Sequence, residues 1–131
     1  MDSKTAKKIK NKNTKIERLL AKAMWNAGLR YRKNCKDIFG NPDFCFKGKK
    51  IAIFCDSEFW HGKKFLEGEK FKTNSDFWEE KIKRNIERDR EVNEQLKREG
   101  WTVLRFWGKE IEKNTDECLN KVIRYIHKDF K

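Results

Sequence analysis

The chain has 131 residues, and 33 lysines and arginines against 21 aspartates and glutamates give it a formal net charge of +12. This length suits one compact domain with a single core. So large a positive charge on a small domain favours a polyanionic partner; nucleic acid is the commonest, and an anionic membrane surface is the main alternative. No apolar run is long enough to span a membrane, and the N-terminus lacks the apolar segment of a signal peptide. We therefore expect an intracellular, cytoplasmic protein that is not inserted in a membrane.

The chain divides into a basic tail, residues 1–13, and a single domain, residues 14–131. The tail is polar and rich in lysine. Such a segment either remains solvated or becomes ordered on a phosphate backbone, and the sequence leaves both outcomes open.

Hydrophobic spacing predicts a helix, a hairpin, a long helix, a strand and a closing helix, in that order. The predicted hairpin turns at Lys47 and Gly48, and Gly28 and Gly100 supply helix stops. This order predicts an α/β fold, a small mixed sheet flanked by helices, in which the long helix crosses between the second and third predicted strands. The elements cover residues 13–31, 43–56, 75–100, 101–107 and 109–127.

Acidic residues lie at the open end of the predicted hairpin. Asp43 begins its first strand, and Asp56 and Glu58 follow its second strand. Clustered carboxylates repel one another unless a cation lies between them, and hard oxygen ligands suit Mg²⁺ better than zinc. The alternative is that each is an ordinary solvated carboxylate.

Polar residues near the loop and on the long helix add candidates for proton transfer. His61 can act as a general base near neutral pH, or it can be a structural or exposed histidine. Asn85 and Asp89 share one face of the long helix. Asp89 borders the buried stripe and needs a partner, for which Arg88, Lys81 and His61 are the candidates.

Two further features have competing explanations. Glu17 completes a capping box with Thr14, and capping alone could account for it. Aromatic residues flank the loop between the hairpin and the long helix, close to lysines. They either stack on bases or fold into the core. They are Phe59, Trp60, Phe77 and Trp78.

Several of these segments together resemble the very short patch repair endonucleases, which are DNA mismatch nickases with a restriction-endonuclease-like fold. The similarity extends from about residue 13 to residue 110, with the segments in the same order and at closely similar spacing. The resemblance implies a Mg²⁺-dependent endonuclease that nicks duplex DNA at or beside a T·G mismatch. A restriction- or homing-type endonuclease subunit and a non-catalytic nucleic-acid-binding module remain as alternatives. The segments are Glu17, Pro42-Asp43-Phe44, "FWHG" at 59–62 and "FWEEKIKRNIERDR" at 77–90.

The resemblance assigns a metal site to the end of the hairpin. Asp43 would bind Mg²⁺, with Mn²⁺ as a substitute, and the main-chain carbonyl of Cys55 would complete the protein's share of the ligands. Asp56 is a further candidate ligand, and Glu17 would contact a water of the metal shell.

The resemblance also assigns catalytic and DNA-binding roles. His61 would activate the attacking water, oriented by Asp89, and Asn85 would help to order the scissile phosphate or the metal waters. The partner would be double-stranded DNA. We expect a monomer, with an oligomer as the alternative. Aromatic residues would enter the base stack and basic residues would contact the backbone; the two groups are Phe59, Trp60 and Trp78, and Lys63, Lys64, Arg84 and Arg88.

Two departures from the family pattern concern metal binding. Family members often carry a histidine at the position of Asp56, and often a structural zinc whose cysteines would fall near Glu58 and Lys109 here. The four cysteines of this chain form no C-x-x-C pair, and no histidine lies at zinc-site spacing from them.

We therefore expect the purified protein to contain no stoichiometric zinc, because the residue types that hold a structural zinc are missing from these positions. Elemental analysis of protein purified without added metal measures this directly. One zinc per chain would refute the prediction and would require a new interpretation of Cys55 and Cys118.

Overall fold

The computed structural model of the protein describes residues 14–58 and 75–127. No helix within these residues is both long enough and apolar enough to cross a membrane. The elements, in chain order, are α1 (Thr14–Asn26), β1 (Arg32–Lys33), β2 (Phe44–Phe46), a 3₁₀ turn (Lys47–Lys49), β3 (Ile51–Asp56), α2 (Ser75–Arg98), β4 (Thr102–Trp107), α3 (Gly108–Lys113) and α4 (Thr115–His127).

The strands form one mixed sheet in the order β1-β2-β3-β4. β2 pairs antiparallel with both β1 and β3, whereas β3 and β4 are parallel, with Ile51 opposite Thr102 and Asp56 opposite Trp107. A parallel pair needs a crossover connection, and α2 supplies it. The predicted α/β fold and the crossing of the long helix are therefore confirmed.

Strand β3 is buried along its whole length, because both faces of the sheet are covered. Its side chains alternate between two cores, as the period of a strand requires. Ile51, Ile53 and Cys55 join the core formed with α1, α3 and α4. Ala52 and Phe54 join a second core, which contains residues of α2. Successive residues of β3 therefore belong to opposite layers of the domain.

Two details differ from the sequence prediction. The short strand β1 was not predicted, because a pair of exposed basic residues has no strand pattern. The prediction of one closing helix over 109–127 is wrong, because Asn114 interrupts it with a φ of −133°. The carbonyl of Asn114 accepts a hydrogen bond from the Cys118 amide at 3.1 Å. Asn114 is therefore the N-terminal cap of α4, a position that favours asparagine.

The turn before β2 packs closely against α2 at Gly40. This residue has a φ of +83°, and a Cβ atom there would lie 2.5 Å from Cγ1 of Val92. Gly28 has a similar φ of +86°, but a Cβ atom there would meet nothing within 4 Å. A side chain at position 28 would therefore strain only the backbone, whereas one at position 40 would also collide with Val92.

Gly40→Ala should lower the free energy of unfolding by about 2–4 kcal/mol, because left-handed backbone strain adds to a steric clash in the core. Gly28→Ala should lower it by about 1–2 kcal/mol, through backbone strain alone. Urea denaturation of both variants gives the comparison. Equal losses would show that the turn moves away from Val92 without cost.

Candidate active site

Asp43 lies at the end of the sheet where β3 stops. It directly precedes β2, and it is 9% exposed. Its Oδ2 accepts a hydrogen bond from the main-chain amide of Cys55 at 2.8 Å. The antiparallel register of β2 and β3, with Phe44 opposite Ile53, brings the two residues together. The carboxylate of Asp43 is thus held against the main chain of the last residues of β3.

The thiol of Cys55 reports the acidic character of this end of the sheet. Burial raises the pKa of Cys55 well above its ordinary value, and nearby carboxylates raise it further. Without a metal the thiol is therefore protonated at neutral pH and is a poor nucleophile. Metal binding by the main-chain carbonyl of Cys55 remains a prediction. The carboxylates that act on the thiol are those of Asp43, Glu17 and Asp56.

Glu17 reaches this region from the first turn of α1. Its electrostatic effect on the buried Cys55 thiol indicates that α1 presents Glu17 to the same end of the sheet as Asp43. A site role and helix capping are compatible here, because Glu17 lies both in the first turn of its helix and near the end of β3.

Asp56 is 5% exposed and faces a different partner. Its two carboxylate oxygens lie 3.0 and 3.1 Å from Nη1 of Arg105, which lies on β4. The paired guanidinium accounts for a charged residue at the end of a buried strand, since a buried carboxylate needs such a partner. The role of Asp56 as a further metal ligand remains a prediction, but its oxygens already accept hydrogen bonds from a cation.

Arg105 also connects this strand end to α2. Its Nη1 lies 3.5 Å from Oδ1 of Asp89, and its Nε donates a hydrogen bond to Oδ1 of Asn93 at 2.7 Å. Its guanidinium carbon lies 4.1 Å from the centre of the Phe54 ring. Asp89 thus has a partner, Arg105, that the sequence patterns did not indicate.

The other candidate site residues on α2 are Trp78, Arg84, Asn85 and Arg88. Asn85 is half-buried, one turn before Asp89. Arg84 is exposed and lies 3.5 Å from a carboxylate oxygen of Glu80, and Arg88 is also exposed. Trp78 is partly buried, and its ring packs edge-on against that of Phe77, with centres 5.1 Å apart.

Other candidates lie between the two described stretches. Their predicted roles as general base, aromatic wedges and backbone contacts therefore remain predictions. They are Phe59, Trp60, His61, Lys63 and Lys64.

The described residues offer few donor groups to a metal, and the identity of the ion remains a prediction. Within residues 14–58 and 75–127, no three histidine, cysteine, aspartate or glutamate residues group together in a way that could hold a metal. A structural zinc takes four protein ligands, whereas Mg²⁺ keeps several waters and needs only one or two carboxylates. Asp43 and the main chain of Cys55 can supply such a small share of ligands.

A hydrogen bond joins the two positions where the family pattern would place zinc cysteines. Oε2 of Glu58 accepts a hydrogen bond from the main-chain amide of Lys109 at 2.8 Å. Lys109 lies in the first turn of α3, where main-chain amides lack partners within the helix and favour an anion. Glu58 therefore links the end of β3 to the start of α3.

Arg105 and Asn93 are the members of this cluster that the sequence patterns did not indicate. One signal for Arg105 was present, since it interrupts the apolar strand "WTVLRFW". A largely buried arginine needs polar or charged partners. A search for acidic residues on the neighbouring elements would therefore have been the way to find them. Asn93 carried no comparable signal.

Comparisons with known proteins identify the family of this chain. A sequence model of the family described as DNA mismatch endonuclease Vsr matches residues 1–67. The chain is 57% identical over 114 residues to the type II nicking enzyme V.NmeDIP of Neisseria meningitidis serogroup C, covering 86% of this chain and 77% of that protein. It is 50% identical over 119 residues to the type II nicking enzyme V.HpaIIP of Haemophilus parainfluenzae, covering 90% and 84%.

A more distant relative carries the name of the family itself. The chain is 35% identical over 122 residues to the DNA mismatch endonuclease Vsr of Escherichia coli strain K12, covering 91% of this chain and 78% of that protein. The resemblance inferred from the sequence motifs is therefore confirmed, and the mixed sheet with flanking helices agrees with the restriction-endonuclease-like fold expected from it. The chain belongs to the DNA mismatch endonuclease Vsr family.

Proposed function

We propose that this endonuclease nicks duplex DNA at or beside a T·G mismatch, with Mg²⁺ as cofactor and Mn²⁺ as a substitute. The observation that carries the proposal is that the Cys55 amide holds the carboxylate of Asp43 at the end of a buried strand, where Glu17 and Asp56 also act electrostatically on Cys55. The names of the relatives, nicking enzymes and a mismatch endonuclease, support the same reaction.

The metal-binding residues in this proposal are Asp43 and the carbonyl of Cys55. Bound Mg²⁺ supplies positive charge that stabilises the phosphoryl oxygens and the leaving 3′ oxygen. The hydrogen bond from the Cys55 amide keeps the carboxylate of Asp43 in a fixed orientation. Glu17 would hold a water on the same side of the sheet.

Proton transfer is assigned to His61 and Asp89. The imidazole of His61 takes a proton from the attacking water, the water oxygen bonds to phosphorus, and the bond from phosphorus to the 3′ oxygen breaks, with that oxygen taking a proton from solvent water to become a hydroxyl. Asp89 orients the imidazole, and Asn85, one turn earlier on α2, helps to order the phosphate.

Selection of the mismatch is assigned to the aromatic residues around the loop. Side chains that enter the stack must separate neighbouring base pairs, and this costs less where the pair is already weak. The side chains that enter the base stack would be those of Phe59, Trp60 and Trp78. Contacts between basic residues and the backbone make binding depend on salt; these residues are Lys63, Lys64, Arg84 and Arg88.

Asp43→Asn should slow nicking by a factor of about 10²–10³, the loss typical of removing one charge-stabilising group. The wild-type protein should nick a supercoiled plasmid with Mg²⁺ and stop nicking in chelator, because the phosphoryl charge then lacks its cation. Asp116→Asn, which changes an exposed carboxylate on α4, is the matched control and should nick at the wild-type rate. Equal nicking in chelator would remove the metal from the proposal.

The wild-type protein should nick a T·G duplex faster than the matched duplex, and Trp60→Ala and Trp78→Ala should reduce this preference. The physical reason is that these aromatic side chains enter the base stack at a low energetic cost only where the base pair is already weak. Single-turnover rates on the two duplexes measure it. Trp25→Ala, which removes a half-exposed tryptophan packed on Arg30, is the control and should leave the ratio unchanged.

Equal wild-type rates on the two duplexes would leave a nickase without mismatch selection. A preference that survives both variants would instead show that Trp60 and Trp78 serve the protein core.

A further inference from the structure

Arg105 occupies a position where the pattern of its strand would place an apolar side chain. It lies opposite Phe54 in the parallel pairing of β3 and β4, and its side chain is 18% exposed. The neighbouring residues Leu104 and Phe106 are buried in the core on the other face of the sheet. Burial of an unpaired charge is strongly unfavourable, so the partners of Arg105 explain why it can lie there.

Those partners belong to two different elements. Asp56, at the end of β3, accepts from Nη1 with both oxygens, and Asp89 and Asn93 on α2 contact Nη1 and Nε. The guanidinium is planar and presents its donors in a rigid fork. One side chain therefore contacts both α2 and the end of β3, in addition to the apolar packing between these elements.

We propose that Arg105 is a positioning residue that holds Asp89 at a set distance from the end of β3, and that Asp56 is its counter-ion and binds no metal. The inference rests on the proposed function, which assigns Asp89 to orienting the base and Asp43 with Cys55 to holding the metal. Asp56 directly follows Cys55, so the ion pair connects the metal-binding strand to the helix that carries Asp89.

Electrostatics supports this assignment. Asp56 and Asp89 each lie within 3.5 Å of Arg105, and both are largely buried. Two carboxylates so close together repel unless a cation lies between them. The guanidinium offsets this repulsion, and without it α2 and the end of β3 would move apart. Displacement of about 1 Å in a catalytic arrangement can slow a reaction by about 10²-fold.

The test separates positioning from stability by comparing Arg105→Met with the double variant Arg105→Met/Asp56→Asn. The measurements are single-turnover nicking of a T·G duplex in Mg²⁺, DNA affinity without metal, and thermal melting. Arg105→Met should melt at a lower temperature and nick about 10–10²-fold more slowly, with DNA affinity retained. The double variant should regain stability, because Asp56 no longer carries an unpaired charge, but should remain slow, because Asp89 is still not held.

Two other variants complete the design. Arg98→Lys changes an exposed arginine that also makes a side-chain hydrogen bond, at the far end of α2, and should nick at the wild-type rate. Asp56→Asn alone should leave the Mg²⁺ concentration for half-maximal rate unchanged.

Several results would overturn the inference. They are recovery of the nicking rate together with stability in the double variant, a wild-type rate in Arg105→Met, and a raised Mg²⁺ requirement in Asp56→Asn. If Arg105→Met does not fold, Asn93→Ala removes the acceptor of Nε and should still slow nicking; a wild-type rate for Asn93→Ala would then overturn it. Failure of the wild-type protein to nick would instead overturn the proposed function, and this inference with it.

Discussion

The parallel pairing of β3 with β4 is the constraint on which the arrangement of charges depends. It places Phe54 opposite Arg105 and Asp56 opposite Trp107, so that a guanidinium on one strand can reach the carboxylate at the end of the other. Because side chains alternate along β3, Cys55 faces the core formed with α1 while Asp56 lies on the side of α2. The adjacent residues Cys55 and Asp56 therefore contact opposite layers of the domain.

The site is acidic within a protein whose formal net charge is +12. This contrast suits an enzyme acting on a polyanion, since a basic surface attracts the DNA and buried carboxylates organise cations within the site. Three of the described carboxylates at this edge have a defined donor. Asp43 accepts from the Cys55 amide, Asp56 from Arg105, and Glu58 from the Lys109 amide. The main chain supplies two of these donors, which ties the geometry of the acids to the sheet and to α3.

Local patterns were sufficient for the layout of the fold, and they failed where position depends on distant partners. The apolar run of β3, the stripe of α2 and the turn residues between β2 and β3 predicted the elements and the crossover. The break at Asn114 was missed because the apolar stripe continues across it. The contacts of Arg105 were missed because they join residues 12 to 49 positions apart on different elements, and no local period encodes such distances. The roles of His61 and Trp60 came from the family resemblance, since the residue type of His61 alone favoured a structural or exposed histidine and that of Trp60 fitted stacking and core packing equally well.

The order in which the strands are made has a consequence for the cell that synthesises this endonuclease. Asp43 and β3 leave the ribosome well before β4, which supplies the parallel partner of β3 and the guanidinium at its end. A nascent chain that stops within α2 carries the acidic residues but lacks the strand that fixes their surroundings. Domains fold as units, so the carboxylates at the end of β3 reach the described arrangement only when β4 has been synthesised. A chain that ends before β4 lacks both the parallel partner of β3 and the guanidinium that pairs with Asp56.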